Sequence, residues 1–170
     1  AVNVESLSYM PGFGLSVAST TLVGQSLGAR RSDLAEASIR TSMRFALIVM
    51  GIVGGVFALF GPALASLFGS TPEVVMLAGS AIRIGALEQL PIAIQMVISG
   101  SLRGAGDTRT PMYATLLGTL LFRVPAVYFF ANVLGLGLDG VWLGTALDWT
   151  ARACVLYWLF RRGAWKRISL

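Results

Sequence analysis

Histidine is missing from this 170-residue sequence, cysteine occurs once, and only 12% of the residues are charged. Each shortage excludes something. Without histidine there is no imidazole acid/base catalysis, no phosphorelay and no ordinary transition-metal site. Cys154 alone cannot form an internal disulfide, and in its apolar run it reads as a small buried packing residue. Globular domains carry about 25% charged residues, so this chain has too little polar surface to face water on every side. No basic residue precedes Arg30, which leaves no charged start for a cleavable signal peptide, and the opening on Ala1 rather than methionine suggests an excised portion. Acids, nucleophiles and metal ligands do not cluster on one helix, so no catalytic residue, metal site or cofactor is expected and the chain is not read as an enzyme. The glycine-rich stretch Gly100–Thr108 lacks the Gly-Lys-Ser/Thr ending of a phosphate loop, so nucleotide hydrolysis is not expected either.

What remains is apolar. Hydrophobic residues make up 55% of the chain, with 20 glycines and 6 prolines, and the mean hydropathy is +0.75. A crossing of the hydrocarbon layer needs about 20 apolar residues, and five such spans can be laid out at roughly 5–29, 42–68, 74–101, 111–133 and 140–160, followed by a basic tail over 161–170. The spans lack the alternating pattern of membrane strands, and helices satisfy their own backbone groups in lipid. The expected fold is therefore all-α, a polytopic transmembrane bundle of five spans. Asp33 and Glu36 resemble a capping box before the second span, while Thr71-Pro72 and Thr110-Pro111 read as helix starts. Arginine and lysine crowd the gaps 30–40 and 102–110 and the tail, while gaps 69–73 and 134–139 have neither. This alternation places the chain start outside and the chain end in the cytoplasm. It also accounts for the net charge of +5 without a nucleic-acid partner.

Within the spans, Pro11, Pro62, Pro91 and Pro125 each favour a kink, a combination suited to a protein that moves or encloses water. Gly24/Gly28, Gly51/Gly55 and Gly140/Gly144 have the spacing of close helix contacts. Arg83, Glu88, Arg123, Asp148 and Arg152 would be costly facing lipid, so they must face partners or water. Asp148 and Arg152, four apart, read as an intrahelical ion pair. Arg83 is five residues from Glu88 and turned about 140° from it, a poor local partner. Glu88 stands deep in its span, where a carboxyl can exchange a proton and couple or gate movement; the competing reading is a hydrogen-bonded contact to Arg123 or Gln95.

Several segments together resemble the multidrug and toxic compound extrusion (MATE) transporters: Val23-Gly24-Gln25-Ser26-Leu27-Gly28-Ala29, the run Ser99–Arg109 with its Leu-Arg-Gly-Ala-Gly-Asp-Thr core, Met10–Gly14, Arg123-Val124-Pro125 and Gly135–Trp142. The resemblance covers nearly the whole chain. It implies helices eight to twelve of a twelve-helix, two-lobe antiporter exporting cationic or amphipathic compounds for protons or sodium ions, in a cell or inner membrane. The missing amino-terminal lobe, the lipid bilayer and small organic substrates are the implied partners. The first span would line the cleft between lobes, with Gln25, Ser16 and Thr20 as polar wall groups and Gln95 beside them. Where the family's sodium-using members carry an aspartate on helix ten, this chain has Ile92, with Glu88 one turn earlier, which favours protons over sodium. A lipid-linked saccharide flippase of the same superfamily and a non-transporting membrane scaffold subunit are the competing readings.

Overall fold

The computed structural model describes residues 2–68, 71–163 and 165. These form five helical rods and no strand among the described residues. The first is α1, Val2–Gly28, and the second α2, Ser32–Ser66. The third consists of α3, Pro72–Gly85, a 3₁₀ turn at Ala86–Glu88, and α4, Gln89–Gly104. The fourth runs from α5, Arg109–Gly118, through a π-turn at Thr119–Arg123, α6 at Val124–Tyr128 and a second π-turn at Phe129–Val133. The fifth is α7, Gly137–Arg161.

Three rods are long and apolar enough by themselves to cross a membrane: Ser32–Ser66, Pro72–Gly104 and Arg109–Val133. The 27-residue α1 and 25-residue α7 have the length, but polar side chains dilute them. Part of that polar set points inward: Ser8, Ser16 and Ser19 on α1, and Thr145, Asp148 and Arg152 on α7. The buried face of α1 is Val4, Ser8, Gly12, Ser16, Ser19 and Val23 at helical spacing, while Leu7, Met10, Phe13 and Val17 are exposed. A water-facing helix has the opposite arrangement. The same inversion holds on α7, where Asp148 and Arg152 are buried and Val155, Tyr157 and Trp158 are exposed.

The prolines act unequally. Pro62 follows a non-helical Phe60 (φ −114°, ψ 16°) that bends α2. Pro91 lies just after the 3₁₀ turn, and Pro125 just after the first π-turn. In both places the missing N–H is accommodated by a changed hydrogen-bond pitch. Contrary to expectation, α1 runs unbroken through Pro11. Two helix starts also differ from the sequence reading. Arg31, not Asp33, holds the N-cap of α2, and Asp33 pairs with the Arg31 guanidinium at 3.0 Å. The fourth rod starts at Arg109, and Asp107 Oδ1 accepts the Thr110 backbone N–H at 2.9 Å, so the aspartate satisfies the helix end that Thr110 was expected to cap.

Packing runs through small residues. A Cβ on Gly100 would meet the Ser16 carbonyl and one on Gly104 the Thr20 carbonyl, so α1 and α4 touch backbone to backbone. Gly140 and Gly144 likewise admit Phe130, Ala131 and Val127 of the fourth rod. Gly28 and Gly55 have nothing within 4 Å, so the pairs Gly24/Gly28 and Gly51/Gly55 do not act as two-point contacts among the described residues. The apolar core divides into three clusters, around Ile98 and Leu156, Met50 and Ile92, and Phe57 and Ile82. Tyr9 and Trp149 pack against the second, beside a polar belt formed by Glu5, Glu88, Arg123, Asp148 and Arg152. Cys154, expected in the core, is exposed instead.

Candidate functional site

Glu88 occupies the midpoint of the Pro72–Gly104 rod, 16 residues from either end. At about 1.5 Å per residue, each end is roughly 24 Å away, which sets the carboxyl near the middle of any membrane the rod crosses. It closes the 3₁₀ turn and is fully buried. Neither carboxylate oxygen has a hydrogen-bond partner among the described residues, so the competing reading, a hydrogen bond to Arg123 or Gln95, is not met there. The adjacent Gln89 is fully buried as well, its amide donating to the Gly85 carbonyl at 3.3 Å while its Oε1 is unpaired.

Glu5, Arg123 and Asp148 act electrostatically on Glu88. They come from three other rods, so the belt is built by tertiary packing. On α1, the Tyr9 hydroxyl donates to Glu5 Oε1 at 2.9 Å, and its ring lies 6.0 Å from that of Trp149 on α7. The Arg152 guanidinium sits 4.5 Å above the Trp149 ring and forms an ion pair with Asp148, both partners buried. Gly118 makes this possible, because any Cβ there would overlap the Arg152 stem. Asp148 Oδ1 and Arg152 Nε remain unpaired. The belt thus contains three carboxyls, Glu5, Glu88 and Asp148, and two guanidiniums, Arg123 and Arg152, so a single proton brings it to neutrality. Arg83, expected in this network, is exposed on the last turn of α3 with its stem across Gly61. The helical rotation between positions 83 and 88 carries it away from the belt.

A groove of 680 Å³ adjoins the belt between α1, α4 of the third rod and α5 of the fourth, two helices that barely touch. Ser16, Gln95, Ser99, Thr115, Thr119 and Arg103 give it polar points among Phe13, Met96, Met112, Leu116 and Trp149. Gln95 is 7% exposed with an unpaired Oε1. Ser16 donates to the Met96 carbonyl at 2.8 Å and accepts from Arg103 at 3.2 Å. Of the four expected wall groups, the groove brings together Ser16 and Gln95. Thr20 spends its hydroxyl on the Ser16 and Gly100 carbonyls, and Gln25 is exposed near the end of α1, outside the groove.

Arg103, Trp149 and Tyr9 were not singled out as site residues from the sequence. The sequence reading takes Arg103 as a loop charge and part of the Leu-Arg-Gly segment, although its place one turn beyond Ser99 puts both on one face of α4. The turn after it is structural: Gly106 takes φ +86°, with its N–H bonded to the Arg103 carbonyl and that of Asp107 to Leu102.

Comparison with known proteins bears on the same residues. The sequence model of the MatE family matches residues 1–129. A probable multidrug resistance protein NorM of Thermotoga maritima is 34% identical over 166 residues, 98% of this chain and 36% of that protein. The multidrug resistance protein MdtK of Yersinia pestis is 33% identical over 160 residues, covering 92% of this chain and 35% of the relative. Among solved structures, the inward-facing conformation of a multidrug resistance MATE family transporter of the MOP superfamily superposes with a TM-score of 0.87 at 26% identity, over 99% of this chain and 39% of that one. The outward-facing conformation of such a transporter gives 0.88 at 26% identity, over 98% and 38%. The eukaryotic MATE transporter AtDTX14 gives 0.90 at 25% identity, over 97% and 37%. The chain thus spans little more than a third of the relatives it matches.

Proposed function

Since the chain belongs to the MatE family of membrane transporters and spans only about 36% of its relative from Thermotoga, we propose that it is most of the carboxyl-terminal lobe of a secondary antiporter. That antiporter exports cationic or amphipathic compounds in exchange for protons. The amino-terminal lobe completes it, and the two lobes rock about a central cleft to open it to each side in turn. The rods lie across a cell or inner membrane with the chain start outside and the arginine-rich end in the cytoplasm.

The observation that carries the reading is the belt around Glu88: a buried carboxyl with two unpaired oxygens, at a break in helical pitch, among an excess of acids. Gaining or losing a proton there changes the charge of a low-dielectric interior by one unit, which the surrounding helices must accommodate. The break supplies a place to do so, since mid-helix 3₁₀ turns often mark hinges. Protons are favoured over sodium because Ile92, where the resemblance implies a second acid, is fully buried in an apolar cluster and offers no oxygen. The groove supplies apolar and aromatic walls with a few polar points, the lining of a small-molecule site. Its one guanidinium, Arg103, is a poor match to the cationic cavity a lipid-linked diphosphate needs, and Arg123 and Arg152 sit among acids.

Glu88→Gln in the complete protein is the direct test. It keeps the shape and removes the exchangeable proton. Expected is loss of pH-gradient-driven dye efflux from proteoliposomes to the level of protein-free vesicles, with normal expression and unchanged ligand binding. Full efflux by the variant removes Glu88 from coupling.

A further inference from the structure

The arginine-rich end of the bundle contains a second construction that neither the belt nor the groove uses. Where the start of α2 meets the end of α7, a pocket of 230 Å³ opens between Arg40 and Arg161. Its floor is apolar and aromatic: Ile39 and Trp165 are buried, and the Phe160 ring stacks on Trp165 at 5.2 Å with planes 8° apart. Both guanidiniums are exposed, and neither is hydrogen-bonded or ion-paired among the described residues. Glu36, the acid on the rim, is engaged in an interaction of its own. The field favours anions at this end. Segments 30–40, 103–109 and 161–162 hold seven arginines against three acids, whereas the opposite ends of the third and fifth rods carry Glu73 and Asp139.

A second cavity lies deeper along the same seam. Along the same two helices, one and two turns further into the bundle, Met43 and Leu47 of α2 face Tyr157, Cys154 and Thr150 of α7 across an apolar cavity of 410 Å³ floored by α4. The two cavities share no lining residue, but one follows the other along the seam of α2 and α7, an arginine mouth and then an apolar throat, together the α2–α7 crevice. From Arg161 to Thr150 is 11 residues, about 16 Å along a helix, close to the roughly 15 Å depth of one leaflet's hydrocarbon. Arginine forks suit phosphate oxygens, and an apolar throat of one leaflet's depth suits an acyl chain. We propose that the α2–α7 crevice binds an anionic phospholipid, its phosphate between Arg40 and Arg161 and one chain against Met43, Leu47 and Cys154. A free phosphate would use the mouth alone, so the throat distinguishes the two.

The test is native mass spectrometry of the complete protein in detergent with phosphatidylglycerol and phosphatidylcholine of matched chains. Phosphatidylglycerol is expected to be retained preferentially. The pair Arg40→Gln/Arg161→Gln should weaken that retention about thirty-fold, the effect of two arginines at about 1 kcal/mol each. Cys154→Trp, which fills the throat and leaves both arginines, should also reduce it, while Arg30→Gln/Arg31→Gln should not. Equal retention of the two lipids, indifference to the Arg40/Arg161 pair, an equal loss in the Arg30/Arg31 control, or full displacement by millimolar inorganic phosphate would each overturn the proposal.

Discussion

At the scale of single residues, what distinguishes this molecule is how its charges are disposed. Asp148 and Arg152 are buried to 0% and 4% exposure, and the helix brings them together because i and i+4 share a face. That pairing was legible in the sequence. What surrounds it was not, because Tyr9 of α1 and Gly118 of the fourth rod come up to Trp149 and Arg152 only through tertiary packing on α7. Removing one partner leaves the other charge uncompensated in a low-dielectric interior. Asp148→Asn is therefore expected to destabilise the complete protein by roughly 3–5 kcal/mol, seen as a lower unfolding midpoint in detergent. Asp148→Asn/Arg152→Gln removes both charges and should recover most of the loss. A double variant no more stable than the single one would mean that lost packing, not the stranded guanidinium, sets the cost. Glu88 shows the opposite case. Its depth could be counted along the chain, but its neighbours Glu5, Arg123 and Asp148 lie on three other rods, and no spacing rule links them.

Elements meet where side chains are absent. The spacing of glycine pairs can be read from a sequence, but which face of a helix meets another cannot. Of the three pairs with contact spacing, Gly140/Gly144 seats the fourth rod against α7, whereas Gly28 and Gly55 face open space. The tightest pair, Gly100/Gly104, has the same spacing yet lay hidden in a stretch weighed as a phosphate loop. There α4 presses on the Ser16 and Thr20 carbonyls of α1. Backbone cannot yield as a flexible side chain can. Gly104→Leu should force α1 and α4 apart and cost at least the roughly 1–3 kcal/mol of ordinary overpacking, while Gly28→Leu, with room around it, should be close to neutral. Thermal unfolding of both variants in detergent measures the contrast, and equal midpoints would mean that α1 yields without penalty. The prolines follow the same logic. A pyrrolidine ring predicts a disturbed ladder, but whether the helix bends at Phe60, tightens to 3₁₀ before Pro91, widens to π before Pro125 or runs straight through Pro11 depends on what packs alongside.

For the whole molecule, the few charges and abundant apolar residues become an inside-out solid, with serines, two glutamines and the Asp148–Arg152 ion pair turned inward and many leucines, phenylalanines and valines outward. That inversion was legible as composition, and the five rods as hydropathy and punctuation. The groove was not, since it is a space left between α1, α4 and α5. Alternating access needs a cavity closed in turn from either side. A groove of 680 Å³ open along its flank cannot form such a cavity without a second body to rock against. A chain with 36% of its Thermotoga relative's length supplies one set of walls and the buried Glu88 carboxyl. Liposomes containing residues 1–170 alone are therefore expected to show no dye efflux under a pH gradient, while liposomes with the complete protein do. A protonation-sensitive infrared carboxyl signal should persist in the short chain and vanish in its Glu88→Gln variant, because the belt is built within these five rods. Gradient-driven efflux by the isolated chain would mean that its rods assemble a cleft by themselves, through copies of the chain or an undescribed rearrangement, and the two-lobe reading would fall.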